Sequence, residues 1–158
     1  MTQPVIRKAT PADMAGVHAL VRELALYEKA PDQVITDPES FQLDLDDRWF
    51  DCLVAEAAGG EIVGIALYYR AYSTWRGRMI YLDDLVVKES ERGNGLGLRL
   101  LKALAQVGLD EKATRIKWQV LDWNAPAIRF YERLGAEISQ EWYNCTLETA
   151  EMQALAEG

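Results

Sequence analysis

Arg92-Gly93-Asn94-Gly95-Leu96-Gly97 is the stretch on which the reading turns. It follows an apolar run, Ile80 to Val87, and directly precedes an amphipathic segment carrying Leu98, Leu100, Leu101 and Leu104. A strand that feeds a helix through glycines lets the backbone turn sharply and leaves successive N–H groups at the positive end of the helix dipole. That arrangement suits a pyrophosphate. Arg92, Arg99 and Lys102 add positive charge locally. An ordinary strand-to-helix turn needs one glycine, whereas here three stand at alternate positions, with an arginine three residues ahead of Gly95. No Gly-Lys-Ser/Thr follows, which excludes a P-loop. Asp122 ends the next strand, as in a dinucleotide fold, but the third glycine of G-x-G-x-x-G would fall on Leu98.

Upstream of the loop, the runs 50–57, 61–72 and 78–87 read as strands joined by Ala58-Gly59-Gly60 and Ser73-Thr74-Trp75-Arg76-Gly77, turns short enough for an antiparallel meander. Residues 5–8 form a further strand. Thr10-Pro11-Ala12-Asp13 then starts a helix over 11–28, with Met14, Val17, Val21 and Leu24 on its apolar face. A loop over 30–38 and a second helix over 38–46 follow. Downstream, a helix over 95–109, a strand over 115–121, a helix over 125–134 and a strand over 141–147 alternate. Residues 1–158 are therefore expected to form one α/β domain, a mixed and mostly antiparallel sheet of six to seven strands flanked by four helices.

The 158 residues are 49% hydrophobic, enough for a single packed core. Asp and Glu outnumber Lys and Arg by 25 to 17, for a net charge of −8. That balance argues against nucleic acid as a partner and favours a cationic ligand. No apolar run reaches the roughly 20 residues of a membrane helix, and Met1-Thr2-Gln3-Pro4 lacks a leader pattern, so a cytoplasmic protein without membrane partners is expected. Cys52 and Cys145 have no neighbours at metal-ligand spacing and read as buried free thiols, with no metal expected. His18 lies one position off the apolar stripe and reads as a surface or boundary residue. Asp83 and Asp84, adjacent on a strand, are expected on opposite faces.

Arg92-x-x-Gly95-x-Gly97 resembles the R/Q-x-x-G-x-G/A signature of the GNAT acetyltransferases. Tyr72 to Arg78, Tyr81-Leu82-Asp83-Asp84, Val120 to Asn124 and Phe130-Tyr131-x-x-x-Gly135-Ala136 resemble the diamine (spermidine/spermine) acetyltransferase branch, and within it the enzymes that acetylate thialysine. The resemblance implies the GNAT fold, acetyl-CoA as cosubstrate, a small cationic amine as acceptor and a homodimer. It also implies a splayed strand, Leu85-Val86-Val87, that binds the pantetheine arm beside its neighbour Lys117-Trp118-Gln119. The pyrophosphate would lie on Arg92, Gly93, Asn94, Gly95, Leu96, Gly97 and Leu98, with Asn124 and Pro126 as further cofactor contacts. Tyr131 matches the general acid toward the CoA sulfur. Asp83 stands where the branch usually has Glu and matches the catalytic acid. Tyr27, Glu28, Trp75, Asp83, Asp84 and Glu141 match substrate contacts. In the polyamine enzymes an acid precedes the turn tryptophan by two positions, and here that residue is Ser73. Two other readings stay open: an acetyltransferase for protein N-termini or lysines, and a non-catalytic CoA-binding regulatory module.

Overall fold

The computed structural model describes residues 2–158, in two compact units, the first running as far as Gln119 and the second over Val120–Gly158. The first unit is built on one five-stranded sheet in the order β1-β2-β3-β4-β5, from β1 (Val5–Lys8), β2 (Asp51–Glu56), β3 (Ile62–Ser73), β4 (Gly77–Val87) and β5 (Arg115–Lys117). The first four are antiparallel neighbours and β5 runs parallel to β4. The meander and its turns fall where the sequence puts them.

Helices α1 (Met14–Tyr27) and α2 (Pro38–Asp46) belong to one face, and α3 (Leu96–Asp110) covers the other. The stripe read from the sequence is what buries α1: Met14, Val17 and Leu20 are buried against Cys52, Val54, Ile65, Leu67 and Val86, with Val21 and Leu24 packed on their edge. Leu96, Leu100 and Leu104 of α3 pack on Leu53, Ala66, Ile80 and Leu82. The helix comes so close to β3 that a Cβ on Gly64 would lie 3.0 Å from Leu100 Cδ1 and 3.3 Å from Leu96 Cδ2. Arg7 ties the start of α1 to the sheet by a two-pronged bond to Asp13 (2.7 and 2.9 Å) and a third to Glu56 (2.7 Å). The guanidinium holds the Asp13 carboxyl down at about 2. Asp37 caps α2 by accepting from Ser40 N at 2.8 Å.

The second unit, taken by itself, holds α4 (Ala125–Arg133) and α5 (Thr149–Glu157). Asn124 Oδ1 accepts from Ala127 N at the start of α4, with a proline in the first turn. Gly135, at φ 87°, ends it, with Ala136 N donating to Tyr131 O.

Several expectations need correction. Among the described residues there are five strands rather than six to seven, because 141–147 has no ladder partner and the strand expected over 115–121 keeps its ladder only at Arg115–Lys117. Alternating side chains such as Tyr143, Cys145 and Leu147 make a strand only where a second backbone takes the hydrogen bonds. The described residues hold five α-helices rather than four, the additional one being α5 at the C-terminal end. His18 is buried at 4% exposure, its Nε2 bonded to Thr36 O (2.8 Å) and its ring edge-on to Phe41 (4.9 Å). A polar ring can sit in the core once its nitrogen has a partner. Cys52 is buried as expected, but Cys145 is exposed.

Candidate active site

The glycine loop takes the conformation its residues allow. Gly95, at φ 75°, is the N-cap of α3, so no side chain caps the first turn. Gly93 is also left-handed, at φ 82°. A Cβ on either glycine would meet nothing within 4 Å, so the loop surface is open for a ligand to approach the backbone. Arg92 is held beside it, its Nε donating to Val87 O (3.0 Å) and its guanidinium 6.0 Å from the Tyr27 ring centroid. This fits a pyrophosphate: backbone donors at the N-terminus of a 15-residue helix, a left-handed glycine turn and an arginine anchored at its edge. Arg99, by contrast, is turned to Pro4 O (2.9 Å).

The β4–β5 ladder stops at Tyr81↔Lys117, although β4 runs on to Val87. Among the described residues Leu82–Val87 therefore have no strand on that side, which leaves an open backbone edge along Leu85-Val86-Val87, with the Val87 carbonyl already accepting from Arg92 Nε. The resemblance assigns that stretch to the pantetheine arm.

The acids are brought together by an irregularity that simple alternation does not foresee. In the β3–β4 register Leu67 faces Asp84 but Tyr68 faces Leu82, which leaves Asp83 unopposed. Ile80 and Leu82 before it, and Leu85 and Val87 after it, all belong to the α3 face, while Val86 belongs to the α1 face. The extra residue thus shifts the phase, and Asp83 and Asp84 both lie on the α1 side of the sheet. The expectation that they point to opposite faces is corrected by this bulge. Tyr69 and Tyr81, directly opposite each other on the same side, stack at 5.2 Å and 18°, and Tyr69 Oη donates to Asp83 Oδ1 at 3.4 Å.

Glu28, at the C-terminal end of α1, completes the set. Its carboxyl is pushed upward by burial. Asp84 is pushed up to about 7, first by burial and then by the charges of Asp83 and Glu28. Burial also raises Asp83, opposed by the bond from Tyr69. Asp84 thus lies within electrostatic reach of both Asp83 and Glu28, and the negative charge gathered beside two aromatic rings favours a cation over an anion; among the described residues no group of side chains is arranged to hold a metal ion.

Trp75, at the tip of the β3–β4 hairpin, is 91% exposed, and Ser73 Oγ accepts from Trp75 N (3.3 Å) and Arg76 N (3.1 Å). Asn124, Pro126, Tyr131 and Glu141 belong to the second unit. There Tyr131 lies 5.4 Å ring to ring from Phe130, and Glu141 is exposed. Tyr69 was missed by the sequence reading, and its only signal was its place opposite Tyr81 in the meander. A cleft of about 350 Å³ is lined by Arg70, Tyr72, Arg78 and Glu111 and by none of the candidate site residues named above, and the Arg70 charge in it is taken up by Asp51 and Glu111.

Residues 17–136 match the model of the acetyltransferase (GNAT) family. The chain belongs to that family. It is 41% identical over 164 residues to the thialysine N-epsilon-acetyltransferase of Bos taurus (96% of each chain covered), and 40% identical over 168 residues to that of Sus scrofa (99% of each). An integron cassette protein from the mobile metagenome of V. cholerae shares the fold, with a TM-score of 0.79 at 22% identity and full coverage of both chains. The GNAT fold and N-acetyltransferase activity are thus established for this chain, with acetyl-CoA as the family's acyl donor.

Proposed function

We propose that this chain transfers the acetyl group of acetyl-CoA directly, in a ternary complex, to the primary amine of a small cationic metabolite, with thialysine and related diamino compounds preferred over long polyamines. The observation that carries the reading is the convergence of Glu28, Asp83 and Asp84 on the α1 side of the sheet, with Arg92 of the open glycine loop 6.0 Å from the ring centroid of Tyr27, the neighbour of Glu28. The similarity to the thialysine acetyltransferases, at about two residues in five, supports the substrate class. A homodimer and a cytoplasmic location rest on the resemblance and the composition.

Alkyl amines have a pKa of about 10 and arrive protonated, so a carboxylate must first hold the ammonium and another must take a proton from it. Asp83 and Glu28 supply the negative field. Asp84, with its carboxyl at about 7, is matched to accept the proton near neutral pH. The alignment put Asp83 first for that role, but the deeper burial of Asp84 favours the latter. On becoming an amide the ammonium gives up two protons. Asp84 takes the first and passes it to solvent; the second replaces the one that Tyr131 gives to the departing CoA sulfur. Bound acetyl-CoA supplies the activated thioester carbonyl.

Tyr131→Phe is expected to keep acetyl-CoA affinity and lower kcat by about 10²-fold, the lower end for a general acid because a thiolate is a good leaving group. Steady-state rates beside a direct CoA-binding measurement check this; an unchanged kcat returns Tyr131 to packing beside Phe130.

A turnover screen across thialysine, lysine analogues, diamines and polyamines tests the substrate class. Thialysine or a similar diamino compound should show a higher kcat/KM than spermidine or spermine, and a tenfold preference for spermine would refute the specificity while leaving the acetyltransferase in place. Ser73→Asp keeps an acceptor for the Trp75 and Arg76 N–H groups and adds a charge. It should therefore raise the spermidine-to-thialysine ratio of kcat/KM by about three- to tenfold.

A further inference from the structure

Two adjacent carboxylates on one face raise a question that neither answers alone: which of them stays charged when a single proton is shared between them. Close acids cannot both ionise freely, and the proton goes to the one with less support for its charge. On this sheet the support is unequal. Asp83 stands at the bulge, exposed, with Tyr69 Oη at 3.4 Å from Oδ1, the long end of such a bond. Asp84 is half-buried, opposite Leu67, and among the described residues nothing donates a hydrogen bond to its carboxyl.

Tyr69 is also poorly placed to do anything else. Its ring is stacked on Tyr81 across the ladder, which fixes the hydroxyl on the α1 side of the sheet. A phenol that donates to a carboxylate must itself stay protonated, and the Tyr69 hydroxyl is pushed up to about 12, by burial first and then by Asp83. It therefore remains a donor well above neutral pH.

We propose that Tyr69 is a positioning residue: by donating to Asp83 it keeps Asp83 as the standing carboxylate that holds the substrate ammonium, and so leaves Asp84 as the member of the pair that accepts the proton. The inference rests on the assignment of this face to the amine. In the step, one N–H bond of the ammonium breaks and an O–H bond forms on Asp84, so the nitrogen regains its lone pair while Asp83 keeps its charge. The other groups facing the pair are Glu28 from the end of α1, Tyr81 on β4 and Cys52 on β2. Lys117 of β5 stands beside Tyr81 in register. Glu28 opposes ionisation of Asp84 as Asp83 does, while Cys52, held neutral by burial, adds no charge.

Tyr69→Phe removes the hydroxyl and keeps the stacked ring. Its test is a ¹³C titration of the Asp side-chain carboxyls in the wild type and in Tyr69→Phe, with Asp83 and Asp84 identified through Asp83→Asn and Asp84→Asn. The Asp83 titration is expected to move to higher pH in Tyr69→Phe, and the Asp84 titration to move to lower pH as the proton is shared more evenly. With thialysine as substrate, the acid limb of the kcat/KM profile should move the same way as Asp83. kcat/KM at pH 7 should fall by about three- to tenfold, with acetyl-CoA affinity unchanged. An Asp83 titration that stays in place in Tyr69→Phe overturns the role. A wild-type protein that shows the Asp83 shift but acetylates no amine overturns the amine assignment and leaves the positioning standing.

Discussion

Gly95→Glu is expected to abolish the rise in Tm that acetyl-CoA gives the wild-type protein. A ligand that binds only the native state adds about 2.7 kcal/mol at a hundred times its Kd. For a chain of this length that is worth roughly 5–10 °C. The loop depends on bare backbone at this position: Gly95 is left-handed, caps a long helix without a side chain and has open space where a Cβ would go. Glutamate there costs about 1–2 kcal/mol of left-handed strain. It also sets a carboxylate against the phosphates, at the point where the helix N-terminus should meet them. Gly95→Ala carries the strain without the charge and should keep a reduced shift. Differential scanning with and without saturating acetyl-CoA reads both variants. If Gly95→Glu shifts like the wild type, the cosubstrate does not use this loop.

Much of the frame was legible from the residues. The glycine turns at Ala58-Gly59-Gly60 and Ser73 to Gly77 mark the meander, the stripe Met14, Val17, Val21 and Leu24 marks the buried face of α1, and Asp37-Pro38 starts α2 where it was expected. These are local signals, and local structure follows them. The C-terminal elements were read less well for the opposite reason. A strand over 141–147 needs a neighbour the sequence cannot name. Thr149–Glu157, rich in Ala, Glu, Met, Gln and Leu, signals its helix through propensity rather than through an apolar stripe. His18 was misplaced because the partner that makes its burial tolerable, the Thr36 carbonyl, lies in the loop between α1 and α2, whose path its spacing does not reveal.

The bulge at Asp83 is the most instructive of these, because its trace was present. Apolar residues fall on even numbers at Ile80 and Leu82 and on odd numbers at Leu85 and Val87, and that change of phase is what an inserted residue does to a strand. Read that way, the two acids share a face. What no spacing could show is the unequal cost of their charges, which depends on how deeply each is buried and on Tyr69 across the ladder.

Asp84→Asn is the variant in which that cost should become visible, with activity and stability moving in opposite directions. Without the acceptor, kcat is expected to fall by about 10²–10⁴-fold at neutral pH. It should recover as the pH is raised toward the roughly 10 at which the amine loses its own proton. Stability should rise. The Asp84 carboxyl titrates at about 7 in the folded chain against an ordinary value of 3.8, so the native state binds the proton more tightly than the unfolded state. The native state therefore holds its full stability below about pH 4 and loses part of it as the pH rises through 7. A neutral Asn keeps the shape and never incurs that loss. Its advantage is nil near pH 4, grows between 4 and 7 and is level above. The full shift corresponds to at most about 4 kcal/mol, and on the order of 1–2 kcal/mol is expected once water around a half-buried group and relaxation of Asp83 and Glu28 are allowed for. Urea unfolding of both proteins at pH 4 and pH 8 measures it directly. Equal stability at pH 8 would mean that the Asp84 charge is well accommodated in the fold, and a kcat within tenfold of the wild type would move the proton acceptor to another group.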